Sequence, residues 1–198
     1  MGPGYTSDYG SYAAPVRAIV EIWGVWLLSW LIAAVWTGRT AARLPGGPQF
    51  LFRVLVVAGV AVLAAGLAPH APSPLWDSPP ALGWAMVALT VAGFGFCWWA
   101  RLYLGRLWSS AITRKEGHHI VDTGPYALVR HPIYTGIIVA SFAAAIDQGT
   151  VTGFVGVGLV VLGYWIKARM EESFLRAELG AEAYDAYARR TGMLLPFL

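Results

Sequence analysis

From residue 16 onward the chain alternates long apolar runs with short polar breaks, and the runs have the length of bilayer crossings. Five spans are expected, at residues 16–37, 50–68, 81–104, 132–148 and 150–168. The breaks carry turn chemistry. Residues 38–49 hold Arg39, Arg43 and a Leu-Pro-Gly-Gly-Pro run, and residues 69–80 hold five prolines, both predicting loops. Between the last two runs stands only Asp147-Gln148-Gly149, which demands a tight antiparallel hairpin. Ala140, Ala143 and Ala144 on one arm and Gly153, Gly156 and Gly163 on the other would let its backbones approach closely. Past residue 168 the helical pattern continues but turns charged to Gly180, so one helix leaves the bilayer; a short helix at 182–190 follows, and the apolar tail 193–198 is suited to return to the protein or the membrane. Residues 1–15 are polar, rich in Gly and Tyr, and predict a mobile N-terminus without the basic start and apolar core of a cleaved signal.

Composition agrees with a membrane class. The chain is 57% hydrophobic and 13% charged, half the charged share of a soluble domain. It reads as one all-α integral membrane domain over 1–198, with spans one to three in 16–100 and the chemistry in 101–198. One cysteine, Cys97, precludes an intramolecular disulfide, and one Cys with four His argues against a structural zinc site. A formal charge of +3 gives no reason to expect nucleic acid. Arg outnumbers Lys twelve to two amid abundant Ala and Gly, pointing to a GC-rich bacterial source. The loops after the first and third spans and the C-terminal region hold nearly every Lys and Arg, whereas 69–80 holds none, so the positive-inside rule places the N-terminus outside and the C-terminus in the cytoplasm.

Polar chemistry concentrates in 124–136, GPYALVRHPIYTG. Gly124-Pro125 predicts a turn, and Pro132 suits the first position of a helix, leaving Arg130 and His131 just before its start. Arg130 and Tyr134 are equally readable as an interfacial anchor. On the emerging helix Trp165, Arg169 and Glu172 share a stripe, and Lys167 and Glu171 pair on a neighbouring one. Arg17 and Glu21, four apart in the first span, predict an interfacial ion pair, and Trp84, Trp98, Trp99 and Tyr103 predict aromatic belts.

The blocks LGRLWS at 104–109, GHHIVDTGPY at 117–126, VRHPIYTG at 129–136, and the closing RMEESFLRAELGAEAYDAYARRTGMLLP resemble, in the same order, those of the isoprenylcysteine carboxyl methyltransferase family and the related membrane phospholipid methyltransferases. The resemblance covers about the last half of the chain and is silent on the first two spans. It implies S-adenosylmethionine as methyl donor, a lipophilic or lipid-linked acceptor held in membrane lipid, and a site on the cytoplasmic face. No GxGxxG follows a strand, so the donor would bind between helix ends and loops. On this resemblance His118, His131 and Tyr134 bond to or pack on the donor, Glu171 or Glu172 accepts from its hydroxyl or amino groups, and the turn at Gly124, Pro125 and Tyr126 completes the pocket.

The methyl group of a sulfonium is already activated, so alignment and exclusion of water are the main requirements. A carboxylate acceptor needs no base but does need a cation, for which Arg169 and Arg130 are the candidates. An amine acceptor must be neutral at attack, making His131 or a glutamate such as Glu172 the base. Carboxyl O-methylation of an isoprenylcysteine-like substrate is the leading expectation and phospholipid N-methylation the alternative. An NADPH-dependent reductase related to membrane sterol reductases and a non-catalytic scaffold are the readings from other classes.

Overall fold

The computed structural model describes residues 8–67 and 73–196. Helix α1 (Asp8–Ala33) starts well before the expected span. Pro15 lies inside it rather than before it, fully buried, and its ring packs where a side chain on Gly83 would otherwise stand. Residues 8–15 of the expected mobile N-terminus are thus helical, while residues 1–7 lie outside the described residues. Helix α2 (Gly46–Ala65) also starts early, because Gly46, Gly47 and Pro48 fill a first turn whose N–H groups need no helical partner. Helices α3 (Pro80–Leu104), α4 (Pro132–Gln148) and α5 (Val151–Leu179) follow. By length and composition α2, α3, α5 and residues 14–33 of α1 are fit to cross a membrane. Helix α4 has 17 residues, about 25 Å at 1.5 Å per residue, and most of its side chains are buried.

Two helix pairs make the closest contacts, α2 with α5 and α3 with α4. Gly93 and Gly136 face each other across α3 and α4: a Cβ on Gly93 would lie 2.7 Å from the Gly136 carbonyl oxygen. Gly156 meets α2 instead of α4, since its Cβ would stand 2.6 Å from the Leu63 nitrogen and 2.8 Å from the Gly59 oxygen. Gly163 likewise faces Phe52 and Val56. The hairpin forms as expected, with Gly149 left-handed at φ 61° and the Thr150 hydroxyl accepting from the Gly153 N–H at 3.0 Å, but two of its three glycines serve another interface. Helix α1 is held to α3 by aromatic rings: Trp26 stacks on Phe94 at 4.5 Å and Trp30 meets Trp98 edge-on at 5.6 Å. Trp84, Trp99 and Tyr103 are exposed, as belts require, whereas Trp98 belongs to this cluster. Arg17 and Glu21 are both exposed and form no ion pair with each other.

One end of the bundle gathers the C-termini of α1, α3 and α5 and the N-termini of α2 and α4. Of the fourteen Lys and Arg, only Arg17 belongs to the other end. Here the all-α expectation needs an addition: β1 (Thr40–Arg43) pairs antiparallel with β2 (Thr113–Lys115), Arg43 opposite Thr113. Such short strands carry no readable period and exist only because two distant loops meet. Buried Gln49 ties them to α2, donating to the Leu44 carbonyl at 2.7 Å and accepting from the Ile112 N–H at 3.2 Å. Fully buried Arg101 donates to the carbonyls of Ala33, Trp36 and Gly105 and lies between the rings of Trp36 and Trp108, closing the ends of α1 and α3. After Gly180, α6 (Ala181–Ala188) folds back, and the chain beyond it runs beside residues 129–135.

Candidate active site

A cavity of about 240 Å³ opens at this end, lined by side chains from α1, α3, α4, α5, α6 and the segment 107–121. Its centre is the start of α4. Pro132 occupies the first turn, so His131 stands at the cap, and its N–H donates to the Met193 carbonyl at 3.1 Å. The imidazole is 7% exposed, lies parallel to the Tyr134 ring at 5.1 Å, and places Nε2 3.2 Å from Glu172 and Nδ1 3.9 Å from Glu171. Tyr134 stacks in turn on Tyr164 at 4.8 Å and donates its hydroxyl hydrogen to Glu171. Buried in this way, Tyr134 is no interfacial anchor.

Arg130 and Glu172 form a clamp behind this row. The guanidinium Nε donates to Glu172 at 2.6 Å, and Nη1 donates to the carbonyls of Ala188, at 3.1 Å, and Thr191. Their side chains are 12% and 14% exposed, so the pair is largely shielded and fastens the chain after α6 to α4 and α5. Arg130 borders the cavity but Glu172 does not. Glu172 instead contacts His131 from behind the lining.

His118 borders the cavity from the segment after β2, with its Nδ1 accepting the Lys115 N–H at 3.3 Å, which leaves the proton of the neutral ring on Nε2. Burial holds its pKa below the ordinary value, partly offset by the nearby Glu171 carboxylate. Tyr126 also lines the cavity, and burial raises its phenol above the usual range, keeping it protonated. Gly124 and Pro125 do not line it; they set the turn that presents Tyr126, and Gly124, at φ 59°, is pressed so near Tyr103 that a side chain would enter that ring.

Arg169 is exposed, borders no part of the cavity and makes no ion pair among the described residues. Lys167, two residues earlier, is the α5 cation that lines it. Its ammonium lies over the rings of Tyr134 (4.9 Å) and Phe52 (5.4 Å) and donates to the Ser110 carbonyl at 3.1 Å, so the expected pairing with Glu171 is replaced by these contacts. The apolar side of the cavity holds Trp30, Leu104, Ile133 and Ile137. Trp30 comes from a span without a motif and had no signal in the sequence. Trp108, Ser109 and Thr113 lie in or beside the LGRLWS block, whose position was a usable signal. The buried Thr113 hydroxyl borders the cavity without a hydrogen-bond partner. Ala140, Ala143 and Gly163 are buried in helix contacts and leave no opening to the cavity's lining. Among the described residues no group of three or more His, Cys, Asp or Glu is arranged to hold a metal ion.

Residues 86–177 match the isoprenylcysteine carboxyl methyltransferase (ICMT) family, a stretch that includes every lining residue from Leu104 to Leu175. Over 128 residues, 62% of this chain, it is 30% identical to a nickel-cobalt-cadmium resistance protein, NccN, of Alcaligenes xylosoxydans xylosoxydans. It is also 30% identical over 128 residues to a cobalt-zinc-cadmium resistance protein, CzcN, of Cupriavidus metallidurans. The matches cover 53% and 52% of those proteins, so the chain spans about half the length of the curated relatives it matches.

Proposed function

We propose, from the match of residues 86–177 to the ICMT family, that the protein is an S-adenosylmethionine-dependent methyltransferase of a lipophilic acceptor, most concretely the carboxylate of an isoprenylcysteine-like molecule. The observation that carries the proposal is the cavity itself: its lining combines the polar His118, His131, Tyr134 and Glu171 with the apolar Leu104, Ile133 and Ile137, at the end of a helical bundle fit to cross a membrane. The concentration of Lys and Arg at that end supports a multi-pass protein of a bacterial cell membrane with its site toward the cytoplasm, where the donor is found.

The residues present fit the donor. Glu171 is an acceptor for its hydroxyl or amino groups, His118 Nε2–H is a donor, Tyr126 adds an aromatic ring to the lining, and the Thr113 hydroxyl lacks the partner that a ligand would supply. When bound, S-adenosylmethionine supplies a methyl group already activated on sulfonium. The protein's part is placement and dryness: Arg130 and Glu172 fix the entrance of α4, the His131–Tyr134–Tyr164 stack forms a rigid wall, and the apolar side receives the hydrocarbon tail away from water. The second reading, methylation of a phospholipid amine, is supported by Glu171 in the cavity lining, a carboxylate able to take the amine proton.

Calorimetric titration of the purified protein with S-adenosylhomocysteine and with NADPH tests the donor. Binding of the former is expected, weakened about ten- to a hundredfold in His131→Ala and Glu171→Gln, each of which loses a hydrogen bond involving a charged group or its ring partner. Arg169→Ala should bind as the parent does. Binding of NADPH alone would replace methyl transfer with the reductase reading. Ser73→Cys and Ser110→Cys in a Cys97→Ala background should react oppositely with an impermeant thiol reagent in intact cells, and equal labelling would refute the orientation.

A further inference from the structure

Among the described residues two Lys or Arg side chains border the cavity, Arg130 and Lys167. Arg130 is already neutralised by Glu172 at 2.6 Å and spends further donors on the carbonyls of Ala188 and Thr191. Lys167 is held differently. Its ammonium makes one hydrogen bond, to the Ser110 carbonyl, and otherwise rests on the faces of Tyr134 and Phe52. No carboxylate of the described residues lies within ion-pair distance of it, and Glu171, one turn further along α5, takes the Tyr134 hydroxyl instead. An ammonium has three donors, so this one is positioned by rings and a carbonyl without a direct ion pair, and donors remain.

We infer that Lys167 is the acceptor-positioning residue of the cavity, binding the anionic headgroup of a lipophilic acid whose tail lies along the Leu104, Ile133 and Ile137 wall. The inference rests on the methyltransferase reading and assigns to Lys167 the task expected of Arg169 or Arg130. A lysine offers a compact point charge rather than a two-pronged fork, which suits a headgroup that must leave one oxygen free to react. In the transfer that oxygen's lone pair forms the new C–O bond as the C–S bond of the sulfonium breaks. The bonding pair goes to sulfur, the donor becomes a neutral thioether, and no proton moves. Lys167 touches neither bond; it orients the carboxylate and offsets its desolvation.

The test compares binding of N-acetyl-S-farnesylcysteine with that of its methyl ester, which keeps the tail and removes the charge, with and without S-adenosylhomocysteine. The parent protein should prefer the acid by about tenfold or more, the range of a charge-assisted hydrogen bond. Lys167→Met should bind both equally, and Lys167→Arg, which keeps the charge and a donor for the Ser110 carbonyl, should retain most of the preference. Unchanged affinity of all three proteins for S-adenosylhomocysteine shows that the fold is intact. No preference in the parent, or a preference retained by Lys167→Met, overturns the inference. Failure to bind S-adenosylhomocysteine overturns the methyltransferase reading independently, because the acid-to-ester ratio is also read without it.

Discussion

Glu172→Gln removes the charge from the clamp without changing its size. In the structure the carboxylate accepts from Arg130 Nε at 2.6 Å and lies 3.2 Å from His131 Nε2, and the guanidinium links onward to Ala188 and Thr191. Hydrogen bonds to charged groups contribute about 1.5–3 kcal/mol each, and a glutamine oxygen can keep a weaker neutral bond of about 1 kcal/mol to one partner. The net loss is then about 2 kcal/mol, below the roughly 3–5 kcal/mol for breaking a fully buried pair, as suits side chains still 12–14% exposed. The loss falls on the docking of residues 188–194, not on the bundle. The Arg130 and His131 N–H groups, which donate to the Gly192 and Met193 carbonyls at 2.9 and 3.1 Å, report it directly. Hydrogen exchange at these two amides should speed up by about thirtyfold for 2 kcal/mol, while amides inside α3 and α5 stay as slow as before. Glu171→Gln, which alters the cavity and not the clamp, should leave both amides protected. Unchanged exchange in Glu172→Gln, or equal acceleration in Glu171→Gln, would refute the division into a clamp and a ligand-facing glutamate.

Gly156→Val should lower the thermal midpoint in detergent by an amount equivalent to about 1–3 kcal/mol or more, because its Cβ meets the backbone of Leu63 and Gly59, which cannot turn aside. Gly158→Ala, two residues on and facing open space, should be neutral or stabilising; equal midpoints would deny the close α2–α5 approach. His118 should titrate below 6.5 by NMR, and lower still in Glu171→Gln, which removes the charge that raises it. Because the folded state then binds a proton less readily than the unfolded chain, this group's contribution to stability is complete above 6.5 and is lost as pH falls toward the folded pKa. A midpoint at or above 6.5 would contradict the burial of the ring.

Run length and the placement of Gly, Pro, Lys and Arg determined a good deal by themselves: the apolar helices, the Gly149 turn, the start of α4 at Pro132, the charged extension of α5, and the end of the bundle where polar chemistry collects. These are local or additive properties, readable because each residue contributes regardless of its distant neighbours. The return of the tail onto the protein was legible for residues 192–194, which meet 129–135, whereas residues 197–198 lie outside the described residues. Contacts between distant segments were not legible. The β1–β2 pairing joins segments some seventy residues apart, and Arg101, one more basic residue near a span end in the sequence, is a fully buried closure of two helix ends. The most consequential decision was the rotation of α5. Helical periodicity shows that Lys167 and Arg169 stand about 200° apart, yet not which of them faces inward. Gly156 and Gly163 settle that by letting α5 lie against the backbone of α2, which turns Lys167 and Glu171 to the cavity and Arg169 to the outside. A one-dimensional pattern fixes angles within a helix; only packing against a neighbour fixes the direction in which they point.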